Sequence, residues 1–335
     1  MKKIYAISLL IFAGISTGCG SKTAMKPREK ESVLLTVDFE QGKTLRYEFV
    51  SEREVDIQWD TSGSSGGEVP NASREKLDLI MAYTPVSVDP YGLTTVKADC
   101  QAAKVRRYGG TQTSLRRADI TQKDAAEYFM GKSFTFTVDP TGKIHDYSQL
   151  EELIKQVSEK AFSSGTGENK IKQPDMISDF IATQWFLWNS ISSIQNPSHG
   201  VTPGESWTSK LPVPTPMVSR LARDVNYTLD EIRPSENGSI AVISSIYSKS
   251  DSVPQNWPVP YTGSFQMRGT FGLLGNYKLL DLTGKGSELF NIDKGQIEVQ
   301  NQQYDLDIKA SMPLGLGVEP VINIKQTISM KLIKE

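Results

Sequence analysis

Histidine and cysteine are almost missing: 335 residues hold two of each. His145 and His199 lie far apart, and neither an H-x-x-x-H nor a C-x-x-C spacing occurs. Zinc centres need three or four nitrogen, sulfur or carboxylate ligands held together, so a His/Cys zinc site is not expected. A dense D-x-D-x-D-G loop for calcium is also lacking. No metal and no cofactor are expected, and each histidine reads as a surface or turn residue. An excess of basic charge is missing too. Lys and Arg number 37 against 39 Asp and Glu, for a net charge of −2, which gives no footprint for nucleic acid. The apolar run Ile4 to Ile15 falls short of the roughly 20 residues that cross a bilayer.

Motifs for group transfer are equally thin. Gly42-Lys43-Thr44 and Gly131-Lys132-Ser133 supply only the end of a phosphate loop, because Val37 and Ala126 stand where the earlier glycine is required. The pattern G-x-S-x-G occurs at 14–18 and 63–67, but neither copy sits between a strand and a helix, as a nucleophile elbow must. Asp305 with Asp307, and Asp230 with Glu231, are the best carboxylate pairs. Asp305 and Asp307 share the polar face of an alternating strand, where solvation is the simpler reading. The chain is therefore expected not to be an enzyme, with a carboxylate-dependent hydrolase as the least favoured reading.

What is present begins at the N-terminus. Lys2 and Lys3 precede the short apolar run, and small residues follow it, as in a signal peptide. The segment Ile15-Ser16-Thr17-Gly18-Cys19 resembles the lipobox of bacterial lipoproteins, departing from it at Ser16, where leucine is usual. That resemblance implies cleavage before Cys19 and acyl chains, palmitate among them, on the cysteine. Residues 1–18 would be the signal peptide. Residues 19–31 would be a lipidated, flexible tether reaching at most about 40 Å, and two or more chains anchor stably. The expected location is the cell envelope, on a membrane outside the cytoplasm, periplasmic or outer face. Loss of Lys2 and Lys3 leaves 35 basic side chains against 39 acidic ones. Cys100 is then alone, on the apolar face of the alternating run Val96 to Ala102, and is expected to be a buried thiol.

Residues 32–335 carry the period of β-structure. Leu45, Tyr47 and Phe49 alternate with Arg46 and Glu48, and Val225, Tyr227 and Leu229 repeat the pattern. Strands are expected at 44–59, 74–86, 238–249, 261–283, 286–299, 303–312 and 321–334, with bulges at Gly269, Gly272 or Gly275. Phe136-Thr137-Val138-Asp139-Pro140-Thr141-Gly142-Lys143-Ile144 and Phe290 to Ile297 read as two strand–turn–strand units, each with an Asp accepting bonds in the turn. Two helices interrupt the strands. One starts at Ser148, capped through Glu151, with Leu150, Leu153, Ile154, Val157 and Ala161 as its apolar stripe. The other covers 175–195, and a shorter one is placed at 121–130. The fold expected is α+β: a large, curved, half-barrel-like antiparallel sheet with two main central helices packed on it. It forms one domain or two packed halves meeting near 165–200.

The order of these parts, with Gly131-Lys132-Ser133-Phe134, Val138-Asp139-Pro140 and Gly204-Glu205-Ser206-Trp207, resembles a group of uncharacterised exported bacterial lipoproteins. More loosely, a curved sheet with helices is similar in architecture to the lipoprotein-carrier folds of the cell envelope. The first likeness implies no activity, and the second implies space for acyl chains. Trp185-Phe186-Leu187-Trp188 puts large rings on more than one helix face, so Phe180, Trp185 and Trp188 are the candidate ligand-binding residues. The expected role is a non-enzymatic envelope lipoprotein that binds a hydrophobic ligand or an envelope protein. A structural or assembly factor adding partner strands at sheet edges is the alternative.

Overall fold

The computed structural model describes residues 32–58, 73–109, 126–146, 148–163, 197–213, 222–253, 275–311 and 319–334. Cys19, the Gly/Ser run 61–67 and the whole of 175–195 lie outside them.

Among the described residues, β1 (Leu45–Gln58), β2 (Ser73–Val88), β3 (Thr94–Gly109), β4 (Ser133–Val138) and β5 (Ile144–Asp146) form one meander. A second is built from β6 (Ser206–Pro212), β7 (Ala222–Ser235), β8 (Gly238–Lys249), β9 (Gly275–Asn291), β10 (Gln296–Ser311) and β11 (Val321–Leu332). The two meanders meet where β1 pairs with β11, giving one open antiparallel sheet in the order β5-β4-β3-β2-β1-β11-β10-β9-β8-β7-β6. Alternation sets the two faces. On β1, Tyr47, Phe49 and Val55 are buried while Glu48, Glu52 and Gln58 are exposed. On the outer face Lys76 meets Glu52 at 2.7 Å and Arg74 meets Glu54 at 3.0 Å, in register. Such exposed pairs are worth at most about 1 kcal/mol each and select register more than they hold the fold.

The α contribution is smaller than the sequence suggests. One helix, α1 (Ser148–Ser163), packs on β4 with Leu150, Leu153, Ile154 and Val157 buried. The Asp146 carboxylate accepts from the Ser148 N–H at 2.9 Å, so the helix start is fixed from two residues before the expected cap. The expected helix 175–195 lies outside the described residues, and 126–129 is a 3₁₀ turn, so the pair of central helices reduces to α1 among the described residues. Strand boundaries also shift. The run 286–299 is broken by a turn at 292–295, because Gly295 there has φ +56°. A register irregularity does fall beside Gly275, between Lys309 and Ser311, and others interrupt the pairing of β9 with β10.

The two Asp-Gly turns differ. Asp139 Oδ1 accepts from the N–H groups of Thr141 and Lys143, while Oδ2 meets His145 at 2.7 Å. Burial pushes the Asp139 carboxyl up, but these hydrogen bonds outweigh it and hold the group below its ordinary value. In the second turn Asn291 takes the local role, accepting from the Lys294 N–H. Asp293 instead reaches out to the Ser239 N–H at 2.7 Å.

Covalent geometry shows how strongly the sheet is curled. Eleven flat strands would separate the first and last by about 48 Å. Yet Val33 exchanges backbone bonds with Val201, which precedes β6, and the Val37 N–H bonds to Pro140 O in the β4–β5 turn. Four residues span at most about 14 Å. At this end, then, Val201, ahead of β6, and Pro140, in the β4–β5 turn, come within about 20 Å of each other, and residues 33–38 form a latch between them. The latch also bonds the centre of the sheet, through the Asp38 N–H to Gly295 O at 3.0 Å, and it buries Leu35 completely.

Candidate functional site

Curling turns one face of the sheet inward, and that face is not uniformly apolar. Strand register sets Tyr247, Gly284, Tyr304, Gln326, Arg53 and Glu75 opposite one another in turn, across β8, β9, β10, β11, β1 and β2. The neighbouring row runs Tyr227, Ser245, Gly286, Gln302, Ile328, Ser51. A row on one side is apolar: Leu282, Leu306, Ile324 and Val55. On the other side Glu288 and Gln300 are followed by Met330 and Phe49. A polar belt thus crosses an otherwise apolar interior.

Most of the belt is satisfied internally, as buried polar groups must be. Arg53 Nη2 donates to Glu75 Oε1 at 3.1 Å, and Gln326 Nε2 donates to Ser51 Oγ at 3.1 Å. Ser245 Oγ donates to Tyr247 Oη at 2.8 Å, and the Tyr304 hydroxyl donates to Gln302 Oε1. Glycine makes room for the rings. A Cβ on Gly284 would lie 2.8 Å from Tyr247 Cδ2 and 3.2 Å from Tyr304 Cδ1. The Tyr247 and Tyr304 rings stack over this strand, with centroids 4.9 Å apart. Arg223, 2% exposed at the start of β7, sets its guanidinium carbon 4.7 Å from the Tyr304 ring centroid and 5.2 Å from that of Tyr247.

A cavity of about 820 Å³ lies against Arg53, Glu75, Tyr304 and Gln326 and the residues flanking them on β1, β2, β10 and β11. That volume is in the range of small-molecule sites. Tyr304 belongs to both the cavity and the Arg223 cluster.

Glu288 is also enclosed, accepting from Gln300 Nε2 at 2.9 Å, with Oε1 left without a hydrogen-bond partner. Burial raises its carboxyl well above the ordinary value and outweighs the Gln300 bond. Folding therefore takes up a proton on Glu288, and the cost begins near pH 4.5 and grows as pH rises toward the folded-state value. Glu288→Gln keeps the shape and removes that linkage. Thermal melts should show the variant gaining stability over the parent from pH 5 to 8 and matching it near pH 4. An unchanged pH profile would show that Glu288 is ionised in the fold.

The residues singled out from sequence fall as follows. Cys19, Phe180, Trp185 and Trp188 lie outside the described residues. Cys100 is buried, and burial pushes its thiol up to about 12, so it is an inert packing group. His145 is half-exposed in the Asp139 turn, and exposed His199 lies 3.8 Å from Glu205. Asp305 and Asp230 face out, and Asp230 accepts from Ser244 Oγ. Among the described residues no cluster of three or more His, Cys, Asp or Glu could hold a metal. The belt itself was missed, though it left a signal. Arg223 shares strand parity with Val225, Tyr227 and Leu229, and Gln300 and Gln302 share it with Tyr304, Leu306 and Ile308.

No curated protein is significantly similar in sequence. Among solved structures, one titled for lipid–protein interactions in lipovitellin is 9% identical with a TM-score of 0.47. The match covers 89% of this chain and 26% of that one, so the present chain spans about a quarter of lipovitellin's length. OccAB4 of Acinetobacter baumannii is 8% identical, with a TM-score of 0.21, over 88% of this chain and 99% of that chain. OpdQ of Pseudomonas aeruginosa is 9% identical, with a TM-score of 0.17, over 87% and 100%. In sequence, residues 109–296, more than half of the chain, match a family of unknown function, DUF6263, and the protein belongs to that family.

Proposed function

We propose that this protein is a bacterial envelope lipoprotein, anchored through Cys19, that takes up an amphipathic small molecule inside its curled sheet and performs no chemistry on it. The cavity of about 820 Å³ carries this reading. Its lining is polar, with Arg53, Glu75, Tyr304 and Gln326 flanked by charged residues, and the apolar row Leu282, Leu306, Ile324 and Val55 lies beside it on the sheet, where an apolar part of a guest could rest. The β2–β3 tip supports anchoring: Val86, Val88 and Tyr91 are exposed there. It bonds to Gln41 and Gly42, close to the segment from which a tether would run. An apolar tip at that end suits contact with a membrane surface.

Two measurements test the reading. Intact mass of the membrane-extracted protein should show Cys19 as an acylated N-terminus, and Cys19→Ser should release the protein to the soluble fraction. Native mass spectrometry of the chain expressed from residue 20 should show a bound, organic-extractable species or saturable uptake of an acyl probe. A single bare mass that ignores added acyl compounds would overturn the ligand reading.

A further inference from the structure

The interior holds two buried arginines in unlike circumstances. Arg53 is matched by the carboxylate of Glu75. Arg223 is not. Its Nη2 has one long bond, 3.4 Å, to Gln302 Oε1, which also accepts from the Tyr304 hydroxyl. Its Nε and Nη1 atoms are buried and donate to nothing, and among the described residues no ion pair forms to it. The faces of Tyr247 and Tyr304 stabilise the cation but cannot accept in-plane N–H bonds. Guanidinium stays charged at any physiological pH, so the cluster encloses a permanent positive charge with open donors. A buried cation of this kind is costly unless something of opposite sign joins it.

We infer that Arg223 is the seat for the anionic head of the bound molecule, a carboxylate whose apolar tail lies along the inward rows of the sheet. This rests on the cavity reading above. A carboxylate is favoured over a phosphate by charge. One monoanion neutralises one guanidinium, and the other buried arginine among the described residues, Arg53, is taken by Glu75. Among the described residues no ion pair joins Glu288 to Arg223, and burial shifts its carboxyl toward the neutral form. Tyr304, which touches both Arg223 and the cavity, connects head to tail.

The experiment uses the chain expressed from residue 20, stripped of lipid, and three single-chain probes of equal length: a long-chain fatty acid, the matching alcohol and the matching alkyl phosphate. Binding is measured by displacement of a fluorescent fatty acid and by direct calorimetry. The acid should bind about tenfold or more tighter than the alcohol, as a charge-assisted pair implies, and tighter than the phosphate. Arg223→Met, of similar length and apolar, should lose that advantage, its affinity for the acid falling to that for the alcohol. Its melting temperature reports whether it folds, and the comparison of acid with alcohol on the parent protein stands without it. Equal affinity for acid and alcohol, or a preference for the phosphate, would overturn the carboxylate seat and leave the cavity reading intact. Failure of every probe to bind would overturn both.

Discussion

A chain that starts at Glu40 is expected to melt roughly 10 °C below one that starts at Ser32, and to bind hydrophobic dyes more strongly. The missing residues are the latch. Leu35 is 1% exposed, and burial of a leucine side chain is worth about 2–5 kcal/mol by truncation. Backbone bonds from Val33 to Val201, from Val37 to Pro140 and from Asp38 to Gly295 go with it, at about 1 kcal/mol each. A loss of order 5 kcal/mol converts to that shift in a domain of this size. The effect should exceed what contacts alone predict for dye binding, because these residues hold the two edges of an open sheet together. Releasing them lets the inward face meet water. Leu35→Ala alone should give about half the shift. A truncated chain that melts within a degree of the longer one would show that the sheet keeps its curl without the latch.

The latch also bears on ligand entry. It crosses the end of the sheet beside Tyr47, whose hydroxyl donates to Ile297 O. The interior is thus closed at one end by residues that directly follow the proposed tether. The polar belt lies several residues deeper along the strands. The belt is where the tyrosines and Arg223 converge, so closure and recognition are separated along the strand direction.

Much of this fold is legible in the sequence, for a simple physical reason. A strand with one face in the core must alternate, and β1, β2, β8 and β11 fall within two residues of the runs that alternate. Helix α1 is legible for the same reason with a period of 3.6. What alternation cannot give is pairing. That β1 lies beside β11, that the chain forms two meanders sharing one seam, and that residues 33–38 bridge the outer edges are all long-range facts. The belt depends on them. Tyr247, Gly284, Tyr304, Gln326, Arg53 and Glu75 come together only after five pairings are fixed. Taken one strand at a time, Arg223 or Glu288 looks like a break in an apolar pattern. The aromatic cluster 185–188 is conspicuous because its rings are consecutive, whereas Tyr247 and Tyr304 are 57 positions apart and stack all the same.

Gly284→Ala is expected to cost about 3 kcal/mol and to alter the near-ultraviolet circular dichroism of the tyrosines. In an ordinary strand this substitution stabilises, by about 0.4–1 kcal/mol, because alanine loses less entropy on folding. Here the added methyl would collide with the Gln303 carbonyl oxygen of the adjacent strand and press on both stacked rings. A backbone oxygen in a paired strand cannot move without shifting β9 against β10, and overpacking of that kind costs about 1–3 kcal/mol or more. Gly286→Ala should cost less, since its methyl meets chiefly side-chain ends, the Tyr247 hydroxyl and Ser245 Oγ, with the Asn301 carbonyl oxygen farther off at 3.0 Å, though it must break the bond between those side chains. Gly42→Ala supplies the reference. Nothing lies near its Cβ, but its φ of +81° carries the left-handed cost of about 1–2 kcal/mol. The expected order of melting temperatures is therefore Gly42→Ala highest and Gly284→Ala lowest. If Gly284→Ala melts at or above the parent temperature, the two rings cannot lie over β9, and the Arg223 seat built on them loses its floor.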